Sequence, residues 1–155
     1  MVLQHVPDPV GALRALSTLL RPGGILAARD SDYGAFTWTP PTPGLDRWLE
    51  LYRAAAHAVG GEPDAGRFLG EWAREAGLQA ETSWSTWIYQ SPDERQWWGS
   101  LWADRIVSSA FATTVLEAGL ADRAELEALS NVWRSWGSLP AGSFELPCGE
   151  VICRR

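Results

Sequence analysis

Residues 20–33 read LRPGGILAARDSDY, and this stretch decides the predicted fold. Proline cannot continue a helix and glycine permits the turn that follows, so the segment at 21–24 ends a helix. Residues 25–28 then form a short, continuous apolar run, which is typical of a strand buried on both faces of a parallel sheet. The chain becomes abruptly polar at Arg29, which predicts a polar tip at the carboxyl end of that strand.

The polar tip carries two carboxylates, Asp30 and Asp32, followed by Tyr33. The two acids are two residues apart and share one face if the strand continues. Ligands of open parallel α/β sheets bind beyond the carboxyl ends of the strands, so we predict that these three residues bind a substrate. The alternative is that they cap the next element. Arg29 is expected to pair with one of the two acids at the surface.

The rest of the chain alternates helical and strand patterns without an internal repeat or linker. Asp8 followed by Pro9 predicts the start of the first helix, and Ser91, Pro92 and Glu94 form a strong capping signal for a later one. The predicted helices cover residues 9–20, 45–59, 64–76, 92–116 and 122–136, and the predicted strands cover 25–28, 78–90 and 144–153, the last with a bulge near 147–149. This order predicts one α/β domain over residues 1–155 with helical insertions.

Composition excludes several classes of function. The chain has 155 residues and a net charge of −6, and all thirteen basic residues are arginine without a basic cluster, which argues against nucleic-acid binding. No apolar run is long enough to span a membrane and the N-terminus does not resemble a secretory signal. The two cysteines, Cys148 and Cys153, are expected to be free thiols of a cytoplasmic protein. No hydrolase elbow or zinc-ligand spacing is present, and we predict no metal.

Ten tryptophans are an unusual number for this length. Any one of them is more often a core residue, but a dense set could also wall an apolar or aromatic substrate pocket. Trp84 is our candidate for substrate binding, and Trp87, Trp97 and Trp98 are weighed with it against core packing. Arg67 is the candidate for a substrate carboxylate, and its alternative is a surface ion pair.

The segment VLQHVPDP at residues 2–9, the helix that ends in LRPGG at 20–24, and the strand with its acidic turn resemble the second half of class I S-adenosylmethionine-dependent methyltransferases of the ubiquinone/menaquinone-biosynthesis type. The resemblance covers the whole chain and is strongest over residues 1–33. It implies the C-terminal part of a doubly wound, Rossmann-like sheet. It also implies methyl transfer from S-adenosylmethionine to a small-molecule acceptor, a reaction that depends mainly on positioning.

The same resemblance gives roles to Gln4 and His5. Their counterparts follow the fourth strand of the family and border the sulfonium and the acceptor, so both residues are predicted to bind the cofactor. His5 is in addition the candidate catalytic residue, as a base or as a group that orients the substrate. The alternative is that the two residues form an ordinary polar loop.

The chain departs from the family in having no G-x-G-x-G turn, which holds the cofactor in these enzymes. We therefore expect weak or no binding of S-adenosylmethionine by this chain alone. The sequence leaves open whether the chain is an enzyme. A misassigned start, an excised fragment and a truncated gene product would each explain the departure. The alternative function is a non-catalytic remnant that acts as a binding or oligomerisation module, and an unrelated α/β domain is a third. The strand beginning at Ile25 should have an unpaired edge, which favours a homodimer.

Overall fold

The computed structural model describes residues 1–154, which divide into two compact units. Unit 1 contains Met1–Phe36, Gly60–Trp87 and the chain from Leu146 onward, and unit 2 contains Thr37–Val59 and Ile88–Glu145. The helices are α1 (Pro9–Thr18), α2 (Pro43–Ala58), α3 (Leu69–Glu75), α4 (Pro92–Ser108), α5 (Ala110–Glu117) and α6 (Arg123–Gly137), and the strands are β1 (Ile25–Ser31), β2 (Thr37–Thr39), β3 (Gln79–Tyr89) and β4 (Ser143–Arg154). Short 3-10 turns cover Leu3–His5, Tyr33–Ala35 and Ala65–Arg67.

The predicted α/β class is confirmed, but the pairing of β1 differs from the expected parallel arrangement. β1 pairs with β4 in antiparallel register, from Ile25 opposite Arg154 to Ser31 opposite Cys148. β3 pairs with β4 as well, and β1 lies at one end of the strand order. Within residues 1–154, β1 therefore has a strand neighbour on one side only. The expectation of burial on both faces is wrong for the same strand, because Ile25 is 53% exposed.

The core of unit 1 forms where α1 and α3 cover the apolar positions of β1 and β4. α1 begins as predicted, with the Asp8 carboxylate accepting a 2.7 Å hydrogen bond from the Gly11 N–H. Burial of apolar side chains from both strands and both helices provides the main stabilisation of the unit. The fully packed members include Leu3, Leu13, Leu26, Leu69, Ala73, Val151 and Cys153.

The predicted helix over residues 64–76 is instead a 3-10 turn followed by α3. A Cβ atom at Gly66 would lie 2.8 Å from the Asp30 carbonyl oxygen and 2.9 Å from the Gly149 nitrogen, and a Cβ at Gly149 would overlap the Gly66 carbonyl oxygen. The backbone of the turn therefore rests directly on β1 and β4. The regular helix begins only after this contact, at Leu69.

Unit 2 is packed around an aromatic cluster, as the core explanation for the tryptophans predicts. The indole of Trp48 meets Trp133 edge to face at 4.8 Å and Trp102 at 4.6 Å, a geometry that aromatic rings favour. Phe144 lies 5.5 Å from Trp133, and Trp98 is buried as well. Four of the ten tryptophans, Trp48, Trp102, Trp133 and Trp136, are at most 3% exposed, so these belong to the core.

Two predicted boundaries in unit 2 are wrong. The helix expected over 92–116 is divided into α4 and α5 at Ser109, whose extended backbone and hydroxyl cap α5 by accepting a hydrogen bond from the Phe111 N–H. The short strand β2 was not predicted, and it pairs with the start of β4. The capping box at Ser91 and Glu94 is confirmed.

The bulge expected near residues 147–149 is absent from the pairing of β4 with β1. Their register is constant from Cys148 to Arg154, and Gly149 stands directly opposite Asp30. Gly149 is needed for the close approach of Gly66 rather than for a bulge. Among the described residues, no helix is long and apolar enough to cross a membrane.

Substitution of Gly149 by Ala should destabilise the protein by about 3 kcal/mol, because the added methyl group would overlap backbone atoms that cannot rotate away. Ile152→Thr on the same strand is the control, since Ile152 is 42% exposed and the variant should stay within about 0.5 kcal/mol. Urea unfolding measures both values. Equal stability of the two variants would contradict the backbone contact.

Candidate functional site

Asp30 lies at the carboxyl end of β1 and is almost completely buried, with 1% of its surface exposed. One carboxylate oxygen, Oδ2, accepts a 3.1 Å hydrogen bond from the Leu3 N–H. The other oxygen, Oδ1, is buried without a hydrogen-bond partner among residues 1–154. A buried oxygen that lacks a partner has lost its hydration without replacement, which makes it a candidate ligand-binding group.

The 3-10 turn Leu3–His5 brings two other predicted site residues to Asp30. Gln4 is buried, and its Nε2 lies 3.1 Å from Nε2 of the exposed His5. The Gln4 Oε1 is a second buried oxygen without a hydrogen-bond partner in the described part of the chain. The structure thus places Gln4, His5 and Asp30 together, although 25 residues separate His5 from Asp30 in the sequence.

Burial raises the pKa of the Asp30 carboxyl above its usual value of 3.8. The positive charge at the chain's first amino group, the backbone N–H groups of Leu3 and Gln4, and the nearby His5 lower this pKa and offset only part of the desolvation. The carboxyl is therefore held in surroundings that oppose its negative charge. A positively charged ligand or a hydrogen-bond donor at Oδ1 would stabilise the ionised form of the carboxyl.

Asp32, Arg67 and Asp64 form a neighbouring ion-pair network. The Arg67 guanidinium donates to both Asp32 oxygens, from Nε at 2.8 Å and from Nη2 at 2.5 Å. Its Nη1 lies 4.0 Å from Asp64 Oδ2, and the Gly34 N–H donates to Asp64 Oδ1 at 2.8 Å. The carboxylate of Asp32 is 3% exposed and Arg67 is 43% exposed, so the pair anchors Arg67 while one side of its guanidinium faces outward.

Arg29 has a different partner from the one expected, and the predicted substrate-binding residue Tyr33 is largely buried. Tyr33 is 7% exposed, and its ring stacks on Phe36 at 4.3 Å, so it packs in unit 1 beside the acids. Arg29 does not pair with Asp30 or Asp32. It meets Glu150 at 3.4 Å and lies 4.6 Å from the centre of the Trp87 ring, because the antiparallel register places Glu150 opposite Arg29.

A cavity of about 220 Å³ joins the predicted residues Arg67 and Trp84. Gly66 and Gly70 line it without side chains, Arg74 and Glu71 contribute from α3, and Thr82, Ser83 and Glu150 complete the lining. The hydroxyls of Ser85 and Ser83 donate to the Glu150 carboxylate at 2.6 and 3.0 Å and lower its pKa. Trp84 is 56% exposed, unlike the core tryptophans of unit 2.

Sequence reasoning missed Arg74, Glu71 and Glu150 as neighbours of Arg67 and Trp84. The pairing of β3 with β4 and the position of α3 beside Thr82 bring them together. No local pattern encodes a contact between residues more than sixty positions apart, such as Ser85 and Glu150. Among residues 1–154, no group of three or more His, Cys, Asp or Glu side chains could hold a metal ion.

The fold and site define a mixed α/β protein in which polar groups gather at the end of β1. No protein-family model matches the chain. It is 28% identical over 157 residues to an uncharacterized methyltransferase of Schizosaccharomyces pombe, a match that covers 99% of this chain and 55% of that protein. It is 32% identical over 82 residues to the ubiquinone biosynthesis O-methyltransferase of Stutzerimonas stutzeri, which covers 50% of this chain and 33% of that protein.

Both relatives are named as methyltransferases, which confirms the resemblance to methyltransferases that the sequence indicated. The chain spans about half the length of the first relative and a third of the second. A match to part of a longer protein agrees with the interpretation of the chain as the C-terminal portion of such a fold.

Arg67→Met should destabilise unit 1, since it leaves the buried Asp32 carboxylate without its guanidinium partner. Solvent reaches the outer part of Arg67 and screens the pair, so we expect a loss of about 2 kcal/mol. The double variant Asp32→Asn/Arg67→Met should recover part of this loss, because the uncompensated charge is then removed. Urea unfolding of the two variants and of Asp32→Asn measures the coupling, and additive effects would contradict a direct pair.

Asp30→Asn tests the buried carboxyl through pH. A folded-state pKa raised above the unfolded value means that the contribution of Asp30 to stability is fully present below pH 3.8 and is lost as pH rises through the folded pKa. The amide cannot ionise, so the stability of Asp30→Asn relative to the natural sequence should increase with pH above 3.8. Thermal unfolding from pH 4 upward measures the difference between the two proteins. A difference independent of pH would contradict this description of Asp30.

Proposed function

We propose that the chain supplies the acceptor side of an S-adenosylmethionine-dependent methyltransferase that acts on a small molecule. The observation that carries the proposal is the pair of buried, unpartnered oxygens, Asp30 Oδ1 and Gln4 Oε1, beside His5. These groups lie in the part of the chain that most resembles the family, and relatives named as methyltransferases support it.

The residues present fit part of a sulfonium cofactor. S-adenosylmethionine, when bound, supplies a methyl group on a positively charged sulfur. Oxygen acceptors are suited to such a cation and to the hydroxyl and amino groups of the cofactor. Gln4 and Asp30 would therefore help to hold it, and the burial of their oxygens makes each contact stronger than in water.

His5 is the candidate catalytic residue. It is exposed, and its Nε2 is held near Gln4 Nε2 at 3.1 Å, which fixes the ring next to the buried acceptor oxygens. The Gln4 amide occupies the lone pair of His5 Nε2, so a neutral ring carries its hydrogen on Nδ1 and would orient the methyl acceptor through that N–H. Release of the Gln4 amide would free Nε2 to take a proton from the acceptor. Methyl transfer itself depends on alignment of donor and acceptor, so positioning accounts for most of the role that we assign to this site.

The chain alone should bind S-adenosylmethionine weakly or not at all, because no G-x-G-x-G turn is present in its sequence. Isothermal titration calorimetry on the 155-residue chain measures this affinity, and a dissociation constant in the low micromolar range would contradict the expectation.

The DNA sequence upstream of Met1 distinguishes an enzyme from a non-catalytic remnant. An in-frame strand followed by a glycine-rich turn supports the enzyme, and a stop codon close upstream supports a non-catalytic remnant.

If the upstream reading frame is open, the extended protein should transfer a methyl group, and Gln4→Leu and Asp30→Asn should each weaken its affinity for S-adenosylmethionine about tenfold. Arg21→Gln is the control, since Arg21 is exposed on the turn before β1. Unchanged affinity of both site variants in a protein that binds the cofactor would contradict the assignment of these oxygens.

The free edge of β1 favours a second candidate function, an oligomerisation module. β1 has one strand neighbour within residues 1–154, and a groove of about 280 Å³ lined by Val2, Leu16, Leu26 and Ala28 runs beside it. An unpaired strand edge with apolar neighbours pairs readily with another chain, so we propose a homodimer through this edge. Light scattering at high concentration tests the homodimer, and a monomer would contradict it.

Two free, buried cysteines support a cytoplasmic location.

A further inference from the structure

The cavity beside Trp84 is lined by two glycines and by charged, hydroxyl and aromatic side chains. α3 contributes Gly70 to its lining, and the turn before α3 contributes Gly66, so neither position fills the space with a side chain. A Cβ at Gly70 would lie 2.6 Å from the Thr82 methyl group, which shows how closely α3 approaches β3 at this point. The opening is therefore framed by the longer side chains around it, chiefly those of Arg67, Arg74 and Trp84.

Two guanidinium groups border the cavity, and they differ in how far they are neutralised. Arg67 uses Nε and Nη2 on Asp32, which leaves its Nη1 with Asp64 only at 4.0 Å. Arg74 has no ion pair or hydrogen bond within residues 1–154 and is exposed. A guanidinium without a partner is well suited to a carboxylate, which it binds with two parallel hydrogen bonds.

The negative groups of the lining limit the charge of the ligand. Glu71 and Glu150 both border the cavity, and hydrogen bonds from Ser85 and Ser83 lower the pKa of Glu150 and keep it ionised. Two carboxylates beside two guanidinium groups disfavour a polyphosphate or another multiply charged anion by repulsion. A single carboxylate meets less of this repulsion than a polyphosphate does, because it carries one negative charge.

The indole of Trp84 adds an apolar surface of defined shape. It is 56% exposed on β3, where water covers a large aromatic face, and it borders the same space as the two arginines. Planar rings stack on such a face. A volume of about 220 Å³ exceeds the roughly 150 Å³ that holds a benzene molecule and is below the range usual for drug-sized ligands. One substituted ring fits it.

We propose that this cavity binds a planar aromatic monocarboxylate, with the ring against Trp84 and the carboxylate on Arg74 and the outer nitrogen of Arg67. This inference rests on the proposed function, because it names the class of the methyl acceptor for residues assigned to acceptor binding. The binding itself requires no cofactor and no methyl transfer. It can therefore be tested on the 155-residue chain, apart from catalysis.

Titration with benzoate and 1-naphthoate, followed by the indole N–H signals in two-dimensional NMR, tests the proposal. The Trp84 signal should shift, and both acids should bind at least tenfold more tightly than benzamide, which has the ring without the charge. Cyclohexanecarboxylate, which has the charge without the planar ring, should bind more weakly than benzoate. Equal binding of benzoate and benzamide, or no shift of the Trp84 signal, would overturn the proposal.

Two matched pairs of variants locate the site. Trp84→Ala should weaken naphthoate binding about tenfold, whereas Trp97→Ala, which removes an indole of the same 56% exposure from unit 2, should leave it unchanged. Arg74→Gln should weaken binding of both acids about tenfold, and Arg21→Gln should not. Trp84→Phe keeps an aromatic face and should retain binding within about threefold.

The outcomes separate this proposal from the proposed function. Binding of the acids at Trp84 without methyl transfer in any extended protein would contradict the enzyme but leave the ligand class intact. Methyl transfer by an extended protein, with Trp84→Ala and Trp97→Ala equally active and equally able to bind the acids, would overturn the ligand class and leave the enzyme. All five variants replace exposed side chains, and circular dichroism of each checks that the protein is folded.

Discussion

The contact between the backbones of Gly66 and Gly149 is the constraint on which the arrangement of unit 1 depends. No side chain fits at either position, so the 3-10 turn before α3 lies directly on the paired strands β1 and β4. Arg67 follows Gly66 and reaches the Asp32 carboxylate from there. The close approach of Gly66 to Gly149 therefore sets the position of the ion-pair network and of α3, which forms one wall of the cavity. Both would move if the two backbones separated.

Burial of the Asp30 carboxyl at the end of β1 costs unit 1 free energy of folding. A carboxyl group that is 1% exposed and has one oxygen without a partner is less stable than the same group in water, and its raised pKa expresses that cost. Asp32, a residue away from the strand end, has the opposite environment, because Arg67 satisfies both of its oxygens. Two acids spaced two apart thus have different chemistry: Asp32 stabilises the local structure, and Asp30 keeps one buried oxygen without a hydrogen-bond partner among residues 1–154.

The tryptophans divide in a similar way. In unit 2 the indoles of Trp48, Trp102, Trp133 and Trp136 pack edge to face and form the core, while Trp84 on β3 stays exposed beside charged groups. The relatives named as methyltransferases extend well beyond the length that this chain matches, which agrees with a site that holds acceptor oxygens and a cavity but no glycine-rich turn. The small volume of the cavity agrees with the proposed ligand, which is one compact ring with a carboxylate.

The sequence by itself determined the α/β class and the starts of α1 and α4. It also indicated the resemblance to methyltransferases and the candidate residues Gln4, His5, Asp30, Arg67 and Trp84. Capping residues, glycine turns and hydrophobic periodicity act over a few residues, so they can be recognised locally. Only the tertiary structure decided the antiparallel pairing of β1, the break at Gly66, the partner of Arg29, and the grouping of Arg74 and Glu150 with Trp84. Each of these features depends on strand register or backbone contact between residues far apart in the chain. No short segment of sequence encodes such long-range contacts.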